Sequence, residues 1–150
     1  MTPIERDWRI RQHIYEALVA SGRAPDASAI AERFSITRRD ARHSLRRLRD
    51  AHALVMQPGG DAVLMAHPLS AVETDYRVFV DGVALYANCA WDSLGIPAML
   101  GRDAAIAARH PLTGDVLRYS IDAGRLRSDG EFLVHFAHPF RQWYDDIVET

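Results

Sequence analysis

Apolar residues change their spacing once along this chain, near His67-Pro68, and that change restricts the fold more than any other feature. Before it they recur every three or four residues, the period of an amphipathic helix. Beyond it they come in short runs broken by turn residues, the pattern of strands. The chain therefore reads as α+β, with a helical, winged-helix-like domain over residues 1–68 and, over residues 69–150, a small mostly antiparallel sheet set against one helix.

In residues 7–20, Trp8, Ile10, Ile14, Leu18 and Val19 approximate one helical stripe, and Ser21-Gly22 supplies a stop. Asp26 or Ser28 can cap a second, short helix carrying Ala29, Ile30, Ala31 and Phe34, because their side-chain oxygens satisfy free N–H groups at a helix start. Thr37 caps a third, with Ala41, Leu45 and Leu48 facing inward. Two apolar strands, residues 53–56 and 62–65, then flank the turn Gln57-Pro58-Gly59-Gly60-Asp61. Three helices followed by a hairpin make a winged helix-turn-helix, a module whose third helix can read DNA. Arg38, Arg39, Arg42 and Arg46 are the side chains that would meet phosphates or guanine edges. The alternative is a packing scaffold, since arginine also coats solvated helices and the hairpin turn carries no basic residue.

After a linker at His67-Pro68-Leu69-Ser70, residues 76–80 read as a strand and Asp81-Gly82 as a turn. Residues 84–94 read as a helix ended by Gly95-Ile96-Pro97. Residues 104–108, 116–121 and 132–136 are further strand candidates, with turns at 113–115 and 122–124. Charge divides along the same line. Residues 1–60 hold 11 Arg against 7 acidic residues, and residues 61–150 hold 7 Arg against 13, within a formal net charge of −2 that argues against wholesale coating of nucleic acid.

No apolar run approaches the roughly 20 residues of a membrane span, and the N-terminus lacks the apolar core of a secretory signal, so a cytoplasmic location is expected. The single cysteine, Cys89, is expected to be a free thiol. It precedes Asp92 by three residues, a spacing that on a helix puts thiol and carboxyl on one face. Thiolate is the preferred side-chain ligand for soft metals, and desolvation in an apolar pocket favours the protonated form of a carboxyl, which a proton donor needs. The plain alternatives are a buried, inert cysteine, an aspartate that merely caps or solvates its helix, and a Trp91 that belongs to the core.

The stretch Tyr86-Ala-Asn-Cys89-Ala-Trp-Asp92-Ser-Leu-Gly-Ile-Pro97-Ala-Met-Leu-Gly101 resembles the active-site segment of the alkylmercury lyase family, in which a cysteine, an aspartate three residues on and a Pro-Ala-x-x-Gly sequence recur. The likeness extends upstream through Pro68-Leu-Ser-Ala-Val-Glu-Thr-Asp-Tyr-Arg-Val and downstream through His110-Pro-Leu-Thr-Gly-Asp, and the family has a winged-helix-like N-terminal domain. The resemblance implies protonolysis of a carbon–mercury bond. Two cysteine thiolates take the metal, an aspartate mediates protonation of the carbon, a hydrocarbon leaves, and Hg(II) is released to external thiols, with no cofactor.

Cys89 matches the first cysteine and Asp92 the aspartate, which makes both of them candidate contacts to mercury. The second cysteine is expected just beyond Thr150, so that a shortened lyase, a divergent binding protein without turnover and a substituted site all stay open. Asp146 and Glu149 are candidate oxygen ligands, though hard ones for mercury. His110, His135 and His138 are candidate nitrogen ligands, at spacings unlike a zinc site. The partner expected on this ground is a small organomercurial or another thiol-reactive ligand, with DNA as the alternative.

Overall fold

The computed structural model describes residues 1–148, and the helical half forms much as its sequence dictates. Helix α1 (Pro3–Ser21) begins earlier than the apolar stripe, because Thr2 and Glu5 close a capping box around its first turn and Pro3 sits where its missing N–H costs nothing. Ile10, Ile14 and Leu18 form its buried edge. Trp8 does not join them. It is 54% exposed beneath the Arg11 guanidinium, and Asp7 takes the buried position instead. There Asp7 receives two hydrogen bonds from Arg47, at 2.6 and 2.7 Å, that compensate its burial. Helix α2 (Ala27–Phe34) is capped by Asp26, and α3 (Arg38–Asp50) by Thr37, with Ala41, Leu45 and Leu48 buried.

All strand pairings are antiparallel, in one sheet of order β1-β2-β3-β5-β4-β6-β7-β8. The expected hairpin supplies β1 (Val55–Met56) and β2 (Val63–Ala66). The expected linker is instead a turn through a cis His67-Pro68 bond and a short strand, β3 (Leu69–Ser70), which hydrogen-bonds both β2 and β5. Strand β4 (Tyr76–Val80) matches its reading.

Three expectations fail in the second half. Residues 84–87, expected to start a helix, lie instead in strand β5 (Val83–Ala87), and helix α4 runs over Ala90–Leu100, through Pro97 rather than ending at it. Leu85 and Ala87 are buried at period two, but the partly buried Val83, Ala84 and Tyr86 make the run look uniformly apolar and hide the alternation. Pro97 is tolerated because it and Ile96 are fully buried, and α4 packs on β4, β5 and β6. Residues 132–136 form no strand. They run as irregular chain after β6 (Ala104–Arg109), β7 (Val116–Asp122) and β8 (Arg125–Ser128). Strand β8 escaped the sequence reading because every residue in it is exposed. What places it is the two-residue turn Ala123-Gly124, both at positive φ, which sets the register Asp122 opposite Arg125. No helix among the described residues is long and apolar enough to cross a membrane.

Candidate functional site around Cys89 and Asp92

The last residues of β5 deliver the chain directly to the start of α4, and the candidate site is built on that junction. Cys89 is the N-cap of α4 in extended conformation, so it does not lie on a helical face as its spacing suggested. Its Sγ accepts the backbone N–H of Asp92 at 3.5 Å, the position a capping oxygen ordinarily fills. The pairing with Asp92 survives for a different reason, since a cap and the third residue of its helix meet through the first turn.

Cys89 is half-buried. Burial pushes its thiol above the ordinary range. The backbone N–H of Asp92 works against this, and the Asp92 carboxylate adds to it by charge and hydrogen bonding. Tyr76 and Tyr119 are both raised by burial, and the nearby Cys89 contributes to each shift, so thiol and phenols share one region. The Tyr119 hydroxyl lies 2.6 Å from that of the fully buried Ser93, tying β7 to the first turns of α4.

The Asp92 side chain is 17% exposed, and its contacts to Asn88 and His67 both fall on Oδ2. Asn88 Nδ2 donates to that oxygen at 3.0 Å, and His67 Nδ1 lies 3.4 Å from it. Asn88 Nδ2 is also 3.3 Å from His67 Nδ1. The His67 carbonyl accepts from Tyr15 of α1 at 2.8 Å, and Tyr15 accepts from Arg11 at 3.0 Å, so the helical half braces the turn that carries His67. Among the described residues, two buried polar atoms here have no partner, His67 Nε2 and Asn88 Oδ1. Neither residue was a sequence candidate. Asn88, four residues before Asp92, was visible in principle, whereas His67 arrives only through the β2–β3 turn.

A cavity of about 830 Å³ begins at Ala90, the residue after Cys89, and is bordered by Tyr76, Leu94, Tyr119 and apolar side chains of β7, β8 and residues 130–135, with Arg109, His110, Glu131 and His135 also in its lining. Trp91, expected in the core, is 55% exposed and stands edge-on to Phe136 at 6.0 Å between centroids.

The remaining candidates do not converge here. His110 borders the cavity, but its Nδ1 accepts the backbone N–H groups of Leu112 and Thr113 within its own turn. The backbone carbonyl of His138 accepts from Trp143, and Asp146 accepts from Val148 N–H. His135 borders the cavity from irregular chain rather than a strand. Glu149 lies outside the described residues. Among the described residues, no group of three or more His, Cys, Asp or Glu is placed to hold a metal. On α3, Arg38, Arg39 and Arg46 are exposed, while Arg42 is paired with Asp61 of the hairpin turn at 2.8 Å.

Residues 69–150 match the family model described as MerB, alkylmercury lyase. Over 65 residues the chain is 38% identical to an alkylmercury lyase of Staphylococcus epidermidis, a match spanning 43% of this chain and 30% of that protein. Its fold is similar to the mercury-bound form of MerB2, with a TM-score of 0.65 at 21% identity, covering 81% of this chain and 58% of that one. The chain thus spans less than two thirds of the length of either relative.

Proposed function

The chain belongs to the alkylmercury lyase family, and we propose from that premise that it cleaves carbon–mercury bonds by protonolysis, with Cys89 as the metal-binding thiolate and Asp92 as the proton donor. One observation carries the reading: the thiol caps the helix whose first turn bears the carboxyl, close enough that the carboxylate raises the thiol's affinity for its proton. In this reading residues 1–68 are a winged-helix-like part and residues 69–150 the lyase-like part.

The resting Cys89 is a thiol, because its buried site disfavours the charged form. An organomercurial cation, R–Hg⁺, displaces the thiol proton and forms a sulfur–mercury bond. The adjacent Asp92 carboxylate takes that proton. It then delivers the proton to the carbon bound to mercury, the carbon–mercury bond pair goes to the new C–H bond, and R–H departs. Hg(II) remains on Cys89 facing the regenerated carboxylate. Asn88 donates to Oδ2 and so helps fix the carboxylate for the transfer, with His67 Nδ1 at 3.4 Å from the same oxygen. External thiolates complete the metal's coordination and remove it from Cys89.

A second reading, a winged-helix DNA-binding regulator with a ligand-sensing second half, is favoured by the exposure of Arg38, Arg39 and Arg46 on α3. It predicts duplex binding that weakens steeply with salt as phosphate contacts release counterions.

The decisive experiment incubates the protein with an organomercurial and excess thiol and assays the hydrocarbon, for the parent, Cys89→Ser and Asp92→Ala. Product from the parent alone is expected. Product that survives loss of Cys89 removes the proposed site, and mercury bound at Cys89 without hydrocarbon identifies a non-catalytic binding protein.

A further inference from the structure

We propose that His67 is a positioning residue for Asp92, donating its Nδ1–H to the same Oδ2 that Asn88 holds and so fixing the carboxylate beside the Cys89 thiol. The inference rests on Asp92 as the proton donor and adds the residue that aims it. His67 lies outside the Cys89 segment in sequence, and two helices carry its turn there. Tyr15 of α1 donates to the His67 carbonyl at 2.8 Å. Pro68 packs against Gly95 of α4, where an added Cβ would stand 3.2 Å from the proline Cβ. Burial raises the Tyr15 phenol above its ordinary range, with Arg11 opposing and the Asp92 charge adding to the rise, so α1 is within electrostatic reach of the same acid.

The inventory of donors and acceptors decides where the ring proton sits. Asn88 Nδ2 turns one N–H to Oδ2 at 3.0 Å and has the Leu69 carbonyl for the other at 3.4 Å. His67 Nε2 is buried and without a partner among the described residues, so a proton there would be a buried donor with no acceptor. On Nδ1 the same proton faces the carboxylate at 3.4 Å. A bare Nδ1 would instead set its lone pair against the carboxylate oxygen. The separation is long, as hydrogen bonds at catalytic groups often are before substrate binds.

Ring-nitrogen NMR tests the contact, and single-turnover cleavage tests its use. In the isotope-labelled protein without substrate, at a pH well above the roughly 6.5 of a free imidazole, His67 is expected to carry its proton on Nδ1. Asp92→Ala leaves the Asn88 amide, 3.3 Å away, as the polar neighbour of Nδ1 and should shift the proton toward Nε2. The phenylmercury adduct of Cys89 is then formed on the parent, His67→Ala and His67→Asn, and benzene release is timed beside retention of the adduct against a dithiol chelator. His67→Ala should release benzene about ten- to a hundredfold more slowly, the cost of a misplaced group, with retention within about twofold of the parent. Asparagine puts an amide N–H where Nδ1 stood, so His67→Asn should recover most of the rate. A merely structural role would lower retention together with rate and would not be rescued. A proton on Nε2 in the parent, release from His67→Ala at the parent rate, or His67→Asn no faster than His67→Ala overturns the inference. A parent that yields no benzene overturns cleavage instead, and the Nδ1 proton then decides the contact by itself.

Discussion

A cysteine at a helix start ordinarily titrates low, because the free N–H groups of the first turn favour the thiolate. Cys89 goes the other way. Burial comes first among the causes, the Asp92 N–H opposes it, and the Asp92 carboxylate adds to the rise. The sign of the resulting pH dependence is fixed: a raised pKa lowers the thiolate fraction at neutral pH, so alkylation of Cys89 by iodoacetamide should be slower than that of free cysteine at pH 7. It should climb with pH to a midpoint above the ordinary thiol value of about 8.5. Asp92→Asn removes the opposing charge and should move the midpoint down. A midpoint at or below that of free cysteine would contradict this account of the site. The Cys89 and Asp92 pair was legible in the sequence through spacing and family motif together. Of their supports, Asn88 lies four residues before Asp92 and was visible in principle, whereas His67 meets the carboxylate only through a tertiary contact that no local pattern encodes.

At the scale of elements, the same cysteine is a helix cap, which separates its chemistry from its structural role. Serine is a preferred N-cap and its hydroxyl accepts from the first turn better than sulfur does. Cys89→Ser should therefore leave stability within about 0.5 kcal/mol of the parent or raise it, while Cys89→Ala should cost about 1 kcal/mol. Denaturant unfolding of the two variants checks this, and equal loss in both would mean that the Sγ contact to Asp92 does not cap α4. This junction is also where sequence reading met its limit. Helices α2 and α3 announced themselves through caps and stripes, and α1 through its stripe and its Ser21-Gly22 stop, though not through its Thr2 cap. In Val83–Ala87 apolar residues occupy both faces, so helix and strand templates fit alike until β3 and β4 pair with it. Residues 132–136 failed in the opposite sense, since their apolar composition imitates a strand but serves to border a cavity.

For the molecule as a whole, the question is how firmly the helical half is joined to the sheet that carries the site. The join passes through Gly22 at the end of α1, whose φ of +69° already disfavours a side chain and where an added Cβ would stand 2.8 Å from the Ala84 carbonyl oxygen of β5. Strand β5 ends two residues before Cys89, and Tyr15 of α1 holds the His67 turn from the same side. Gly22→Ala should thus destabilise the whole chain by about 1–3 kcal/mol, and should raise the exposure of Cys89 to alkylation as it does so. For a chain of this size that corresponds to a loss of about 2–4 °C in Tm per kcal/mol. Gly59→Ala is the matched control: its φ of +95° imposes backbone strain, but its Cβ meets nothing within 4 Å. The difference between the two variants isolates the contact of α1 with β5. Helical circular dichroism and Cys89 protection should be lost in one transition in the parent and in Gly22→Ala alike. Two separated transitions, or equal costs for the two glycines, would show that the helical half does not brace the site.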